Sequence, residues 1–479
     1  MNHLIKHLLL TIKVLVMMTA LTVSPLIAKT KADVRYGKYK QSGLDKPFIK
    51  HQDISPVLSA LEQQPMLTIQ TIGQSFNGTN IKTISVGKGK THILIWSQMH
   101  GDEPTATGAI FDVINYIIDD EQVDWRASWT NKLTLTFMPM LNPDGADKTT
   151  RVNAQGIDIN RDARALQTPE GKVLMELLTT LKPQFAFNLH DQSRTYGAGN
   201  TGNPATVSIL APSYNYQRDI NPIRLNAMQL IVDINETIEG QLTDHIGRYD
   251  DGYSHRAFGD TFTKTGVSTV LIEAGGYPSD DNRQVARKAI YKMVLAGIDS
   301  INTQSYTTFT QAQYESIPLN IEHKIKDLII NNLTINHHKN KNYQTDLIIN
   351  FDVYGSQKAK IQAIGDASDF SAYHVFDAKD FNYQTGKSFS INKKLTLTDS
   401  VYFRLLKQGY SHFVGDIDKL KVSTRFPVMI NPSKTACVLP CNGQTATFLL
   451  TDGRGIKFAV INGQIIDLRT GKTLNPLGT

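Results

Sequence analysis

The sequence predicts an α/β region followed by a β-rich region, and three observations predict it. From about residue 91 to residue 304, β-type runs alternate with amphipathic helix-type stretches. Several of those runs, such as Thr91 to Trp96 and Phe185 to Leu189, are apolar without clean alternation, the pattern of strands whose two faces are both covered by helices. Beyond residue 304 the texture changes to short β-type runs separated by turn signals.

In chain order, Lys6 precedes an apolar run from Leu8 to Ala28 that is broken only by Lys13 and a few Thr and Ser. A charged start, an apolar middle and small residues at the end predict a secretory signal over residues 1–28, cleaved after Ala28 or Ala32, and hence a secreted or periplasmic protein. A single membrane anchor is the competing reading, but a charge such as Lys13 near the bilayer centre costs about 3 kcal/mol. No stable membrane insertion is expected after signal removal. Residues 33 to 90 are less periodic, with strand-like Met66 to Ile72 and Ile81 to Val86 around the turn-like Asn77-Gly-Thr-Asn80.

Further strands are expected at Thr91 to Trp96, Lys132 to Met138, Phe185 to Leu189, Thr206 to Leu210 and Ser268 to Ile272. Helices are expected at Pro104 to Ile118, Pro169 to Leu181, Pro222 to Leu242 and Asp281 to Ile301. Residues 33–304 thus read as one α/β domain, in which ligands gather beyond the carboxyl ends of strands. Residues 305–479 read as a β-rich accessory region with runs at Asp346 to Tyr354, Tyr373 to Tyr383, Lys394 to Leu406 and Thr445 to Leu450. Asp452-Gly, Asn462-Gly and Thr470-Gly punctuate it as hairpin turns would. His337 and His338 fall in a polar run there and read as a solvated loop.

Hydrophobic residues make up 41% of the chain and charged ones 20%, which describes a globular protein with an ample core. The net charge of +6 is mild, and no Lys/Arg cluster is long enough to form a nucleic-acid stripe. The two cysteines, Cys437 and Cys441, are close enough to close a small disulfide loop after export, and no further ligands for a metal pair lie nearby.

Chemistry concentrates first in Trp96-Ser-Gln-Met-His100-Gly-Asp-Glu103-Pro104, between an expected strand and an expected helix. The connecting turn lets an imidazole nitrogen and a carboxylate oxygen converge on one cation, and that pair suits zinc better than magnesium or calcium. A third ligand is needed, and His190, ending the run Phe185-Ala-Phe-Asn-Leu, is the best candidate. The second concentration runs from Pro139 to Ala163, where Asn142-Pro-Asp-Gly145 forms a turn and Arg151, Asn160 and Arg161 follow in a loop. An arginine fork holds a carboxylate in two places and keeps its charge at any working pH. Alternatively, Arg161 pairs with Asp158 or Asp162.

His100-Gly-Asp-Glu103, Asn142-Pro-Asp-Gly145, Arg151, Asn160-Arg161, His190 and the Glu273 of Leu-Ile-Glu-Ala-Gly-Gly occur in an order and spacing that resembles the funnelin-type zinc metallocarboxypeptidases, over about residues 60 to 300. The resemblance implies a mixed central sheet flanked by helices and a Zn2+ ion held by His100, Glu103 and His190. It implies that Arg151 polarises the scissile carbonyl, that Asn160 and Arg161 grip the substrate's terminal carboxylate, and that Glu273 is the general base and acid. The partner it implies is a peptide with a free C-terminus. The tyrosine that closes over substrate in that family is matched by Tyr249 or Tyr253, of which Tyr253 is chosen. Asp162 and Asp191 stand where many members have Asn and Ser, and either is placed to orient a ligand. His255 reads as structural.

These roles agree with elementary chemistry, since fixed positive charge acts most strongly on an oxyanion as it forms and a held carboxylate orients the substrate's end. Two other readings stand beside the exported carboxypeptidase. One is a related zinc amidohydrolase acting on peptidoglycan stem peptides or other non-standard amides. The other is a silent binding module, which would be expected to lack Glu273 or a zinc ligand.

Overall fold

The computed structural model describes residues 35–280, 282–337, 341–352, 358–432 and 437–475. The expected signal with its cleavage positions lies outside the described residues, as do Asp281, His338 and Tyr354. The chain divides into two compact units, one running to Arg194 and adding 205–277 and 282–320, the other comprising 195–204, 278–281 and the chain from Ile321 onward.

An eight-stranded mixed sheet organises the first unit. Its strands are β1 (Thr68–Gln74), β2 (Asn80–Gly87), β3 (Thr91–Trp96), β4 (Leu133–Met138), β5 (Phe185–Asp191), β6 (Val207–Leu210), β7 (Ile246–Arg248) and β8 (Ser268–Ala274). In space they lie in the order β1-β2-β4-β3-β5-β8-β6-β7. β4, β3, β5 and β8 pair in parallel, β1 and β2 extend one side antiparallel, and β6 returns antiparallel to β8. Its helices include α1 (Thr105–Ile118), α2 (Pro143–Lys148), α3 (Pro169–Leu181), α4 (Pro222–Leu242), α5 (Phe258–Lys264) and α6 (Gln284–Thr303), and a further helix, His51–Leu61, precedes β1.

The lack of alternation in the central strands follows from this layering. Ile93 and Ile95 of β3, with Phe187 and Leu189 of β5, pack on one face with apolar residues of α1, α4 and α6. Their neighbours Leu94 and Trp96, with Ala186, pack on the other face with Leu174 and Leu178 of α3 and Phe258 and Phe262 of α5. Each fully buried large apolar side chain contributes about 1.5–3 kcal/mol, so these two layers fix the register of the strands between them.

Helix ends follow local chemistry. Thr168 and Asn221 cap α3 and α4 by accepting from Gly171 N and Arg224 N, and Pro169 and Pro222 occupy first-turn positions where a missing N–H costs nothing. α6 starts at Gln284 because Arg283 adopts a left-handed backbone with φ 53°. β3 leads to β4 on one side while β5 lies on its other side, so the carboxyl ends of β3 and β5 flank the crevice where chain connections diverge. In open α/β sheets that crevice is where ligands bind.

The second unit holds a nine-stranded sheet. Ile325–His337 pairs antiparallel with Lys341–Phe351 and parallel with Ser371–Asp377, and Phe448–Thr451, Ile456–Ile461 and Gln464–Asp467 form a meander. The expected turns at Asp452-Gly and Asn462-Gly join those last strands. One expected run is corrected: Lys394 to Leu406 contains the short strand Leu395–Leu397 and then a helix, Asp399–Lys407. Thr398 caps that helix by accepting from Val401 N, and buried Tyr402, Leu405 and Leu406 fall on one face at helical spacing. His337 is the exposed last residue of a largely buried strand rather than part of a loop. Cys437 and Cys441 are disulfide-bonded.

Candidate active site

His100 and Glu103 lie in the loop leaving β3, and the way this loop is held explains their position. Glu103 N donates to His100 O at 3.2 Å, closing a tight turn. Gly101 packs against the start of α2, where an added Cβ would come within 2.0 Å of the Gly145 carbonyl carbon, so the close approach of the two loops requires glycine. Asn142 secures the other side, accepting from Gly145 N at 2.9 Å and donating to Met99 O at 3.2 Å. The Asn142-Pro-Asp-Gly145 turn is thus the buttress of the first motif.

His190 enters from β5, where it is the last residue but one of a strand buried along its whole length. Its Nδ1 lies 2.8 Å from Glu103 Oε2, while His100 Nδ1 lies 2.8 Å from Glu103 Oε1. One ligand atom from each of the three residues falls within 4.8 Å of the others, and all three residues are buried. A carboxylate flanked by two imidazole nitrogens is a mixed N/O donor set that fits zinc. Asp191 N donates to Glu103 Oε2 at 3.2 Å and fixes the carboxylate from the backbone.

The electrostatics of this cluster centre on Glu103. Burial opposes its charge, but the two imidazoles outweigh it and hold the carboxyl well below the usual range. Burial alone would lower His100, yet Glu103 and Asp158 carry it up to about 9, whereas His190 is lowered by burial despite Glu103. The field at the cluster is therefore one that favours a cation.

Asp158, not Asp162, is the carboxylate that holds His100. Asp158 Oδ1 lies 3.1 Å from His100 Nε2, and its Oδ2 accepts from Arg151 Nε at 3.1 Å. Its carboxyl is strongly lowered: burial acts against ionisation, but the His100 hydrogen bond prevails. Asp162 instead accepts from Gln167 N, Thr168 N and Thr168 Oγ1 and shapes the loop into α3. Asp191 accepts from Thr105 N and Oγ1, anchoring the start of α1, and burial pushes it up to about 6. Sequence reading passed over Asp158, although its place between Ile157 and Ile159 carried a signal: an acid whose neighbours on both sides are apolar.

Glu273 stands directly across from His190 in the β5–β8 register, on the same sheet face. Its Oε2 is buried with no hydrogen-bond partner. Burial, then the negative charge of Glu103, raise its carboxyl well above the ordinary value. Arg151 is about half exposed (45%) and reaches the cluster, NH1 donating to Glu103 Oε1 at 3.2 Å. The Ile159–Arg161 turn is capped by Asp158, which accepts from Asn160 N, so Asn160 and Arg161 follow directly from the residue that holds His100. Asn160 Oδ1 accepts from Phe258 N at 2.9 Å. Arg161 is exposed and donates to Asn160 O at 2.7 Å; among the described residues neither Asp158 nor Asp162 forms an ion pair with it. Tyr253 packs edge-on against Tyr216, with ring centroids 4.9 Å apart. Tyr249 N donates to Ile209 O, which places that backbone along the sheet edge.

The fold and cluster define a class, an α/β protein with a buried His-Glu-His centre suited to a divalent metal at the carboxyl ends of parallel strands. Residues 55–201 match the family model described as zinc carboxypeptidase. The match spans His100, Glu103, Arg151, Asn160, Arg161 and His190, and Glu273 lies beyond it. Carboxypeptidase SOL1 of Arabidopsis thaliana is 28% identical over 139 residues, covering 26% of this chain and 28% of that protein. Carboxypeptidase 2 of Trichophyton tonsurans is 27% identical over 130 residues, covering 26% and 23%. The chain thus spans about a quarter of the length of these curated relatives. Among solved structures, carboxypeptidase A from Helicoverpa armigera aligns at 16% identity and a TM-score of 0.43, over 58% of this chain and 81% of that one. No helix among the described residues is long and apolar enough to cross a membrane.

Proposed function

We propose that this chain is an exported zinc metallocarboxypeptidase that hydrolyses the C-terminal peptide bond of peptides. In this reading residues 1–28 direct export, 33–304 form the catalytic domain and 305–479 are accessory. The observation that carries it is the pairing of each Glu103 oxygen with a different histidine Nδ1 at 2.8 Å, beside a second buried carboxylate whose Oε2 has no partner.

His100, Glu103 and His190 would hold the ion. When bound, zinc supplies Lewis-acid polarisation of water and of the scissile carbonyl. Glu273 takes a proton from the attacking water and passes it to the leaving amide nitrogen, and the burial that raises its carboxyl above the ordinary range makes it a stronger base towards that water. Arg151 meets the carbonyl oxygen as negative charge develops, and its tie to Asp158 keeps the guanidinium in place. Asn160 and Arg161 bind the terminal carboxylate, which restricts cleavage to the last peptide bond, and Tyr253 covers the substrate.

The test is metal content measured together with a substrate panel on the exported chain. Stoichiometric zinc and stepwise release of C-terminal residues are expected. Cleavage confined to muropeptides would instead favour an amidohydrolase, and absence of bound metal would end the proposal.

A further inference from the structure

A second feature of the first unit lies away from the ion ligands. Arg164, Tyr214, Tyr216, Tyr253, His255 and Lys264 line a recess of about 430 Å³, together with two uncharged residues and no acidic one. Its walls are tied together. Ala163 N donates to Arg256 O at 3.1 Å, Ser213 Oγ donates to Asp251 O at 2.7 Å, and the Tyr216 hydroxyl lies 2.9 Å from His255 Nδ1. Tyr216 is 68% exposed, an unusual posture for a large ring that is nevertheless held by both Tyr253 and His255.

The charges are unbalanced. Arg164 and Lys264 are exposed, and among the described residues neither is paired with a carboxylate. The nearby acids are engaged elsewhere: Asp250 with Arg218, Asp251 with Arg218 and Arg224, Asp219 with Asn215, and the buried Asp260 with Ser254 N. Two cations without a carboxylate partner, lining the same recess as three tyrosines, make a site for an anion carried on a short flexible stem. The recess also adjoins the Asn160–Arg161 turn, because Asn160 bonds to Phe258 N and Ala163 to Arg256 O on the wall that carries Tyr253 and His255.

We propose that this recess receives an acidic side chain near the C-terminus of the peptide substrate, so that the protein prefers peptides ending in acidic segments. The proposal rests on reading the chain as a carboxypeptidase, since Arg161 then fixes the chain end beside the recess. Arg164 and Lys264 supply the attraction, and the Tyr216 and Tyr253 rings cover the stem of the bound side chain.

The experiment is a fluorescence-anisotropy titration of dye-labelled peptides that differ only in Glu or Gln at one of the last three positions. They are titrated into the zinc-loaded full chain carrying Glu273→Gln, with and without Arg164→Gln and Lys264→Gln. At low salt the Glu peptide should bind up to about tenfold more tightly at one position, and removing both cations should abolish the difference. Raising salt to about 0.5 M should shrink it, because exposed charges are screened within a few ångströms there. Lys264→Gln alone, an exposed position, serves if the double variant misfolds, and should at least halve the preference. Equal binding of Glu and Gln peptides at every position, including no binding of either, overturns the proposal, as does a preference that survives the substitutions. Failure of the carboxypeptidase reading appears separately, as absence of residue release from the Gln peptides by the unsubstituted chain.

Discussion

The buried His-Glu-His cluster and the rim around it are built by opposite means. His100, Glu103 and His190 are buried, come from loops and strands pinned by the sheet, and are each held by a second group: Asp158 on His100, the Asp191 amide on Glu103, Glu103 on His190. Arg151 and Arg161 are far more exposed, and Tyr253 is held by ring contact with an exposed tyrosine. Buried, doubly held groups are pre-organised and lose everything when one partner goes, whereas exposed groups lose only their own contact.

The largest effect should follow from His190→Ala. It removes a ligand and leaves Glu103 buried with one imidazole, a loss of about 3–5 kcal/mol for breaking a buried pair. Metal content and peptide release should both vanish, and full metal retention would contradict the assignment. Next, Glu273→Gln should retain the metal while lowering kcat by about 10²–10⁴-fold, the range for a lost general base. Unchanged turnover in that variant would remove Glu273 from the chemistry. Asp158→Asn should weaken zinc by about 10–100-fold in a competition titration, since it loosens His100 without touching the ion; unaltered affinity would mean that His100 is oriented by its loop alone. Smallest, and conditional on the substrate, is Arg161→Ala. It should cost about 1.5 kcal/mol, roughly tenfold in kcat/KM, on peptides with a free carboxylate, and little on C-terminally amidated ones. Equal losses on both would argue against the exopeptidase reading and against the division between cluster and rim.

The same division governs what could be read from the sequence. Strand β3 and helices α3 and α4 fall where the apolar pattern and the Pro-plus-cap signals put them, because those signals are local. The convergence of His100, Glu103 and His190 was legible because histidine and glutamate at the ends of apolar runs conflict with burial unless they pair with one another or with something bound. Asp158 was overlooked in favour of Asp162 and Asp191, since which of several acids turns inward is decided by a loop of irregular geometry. The helix Asp399–Lys407 was read as strand because Val401, Tyr402 and Phe403 favour β structure by composition, and only the Thr398 cap and the spacing of Tyr402, Leu405 and Leu406 reveal it. The recess beside Tyr253 has no contiguous signature, as its lining residues come from three segments distant in sequence.

His190 and Glu273 face each other across one strand boundary, and Ser208 flanks Glu273 on the other side. A single-residue slip of β8 would turn Glu273 to the opposite layer, among the aliphatic residues packed on α1, α4 and α6. Chemical competence is therefore tied to the alignment of one interior strand. If the proposed activity holds, a refolding experiment that follows its regain would report when that strand locks into its native register, which a probe of bulk secondary structure does not distinguish.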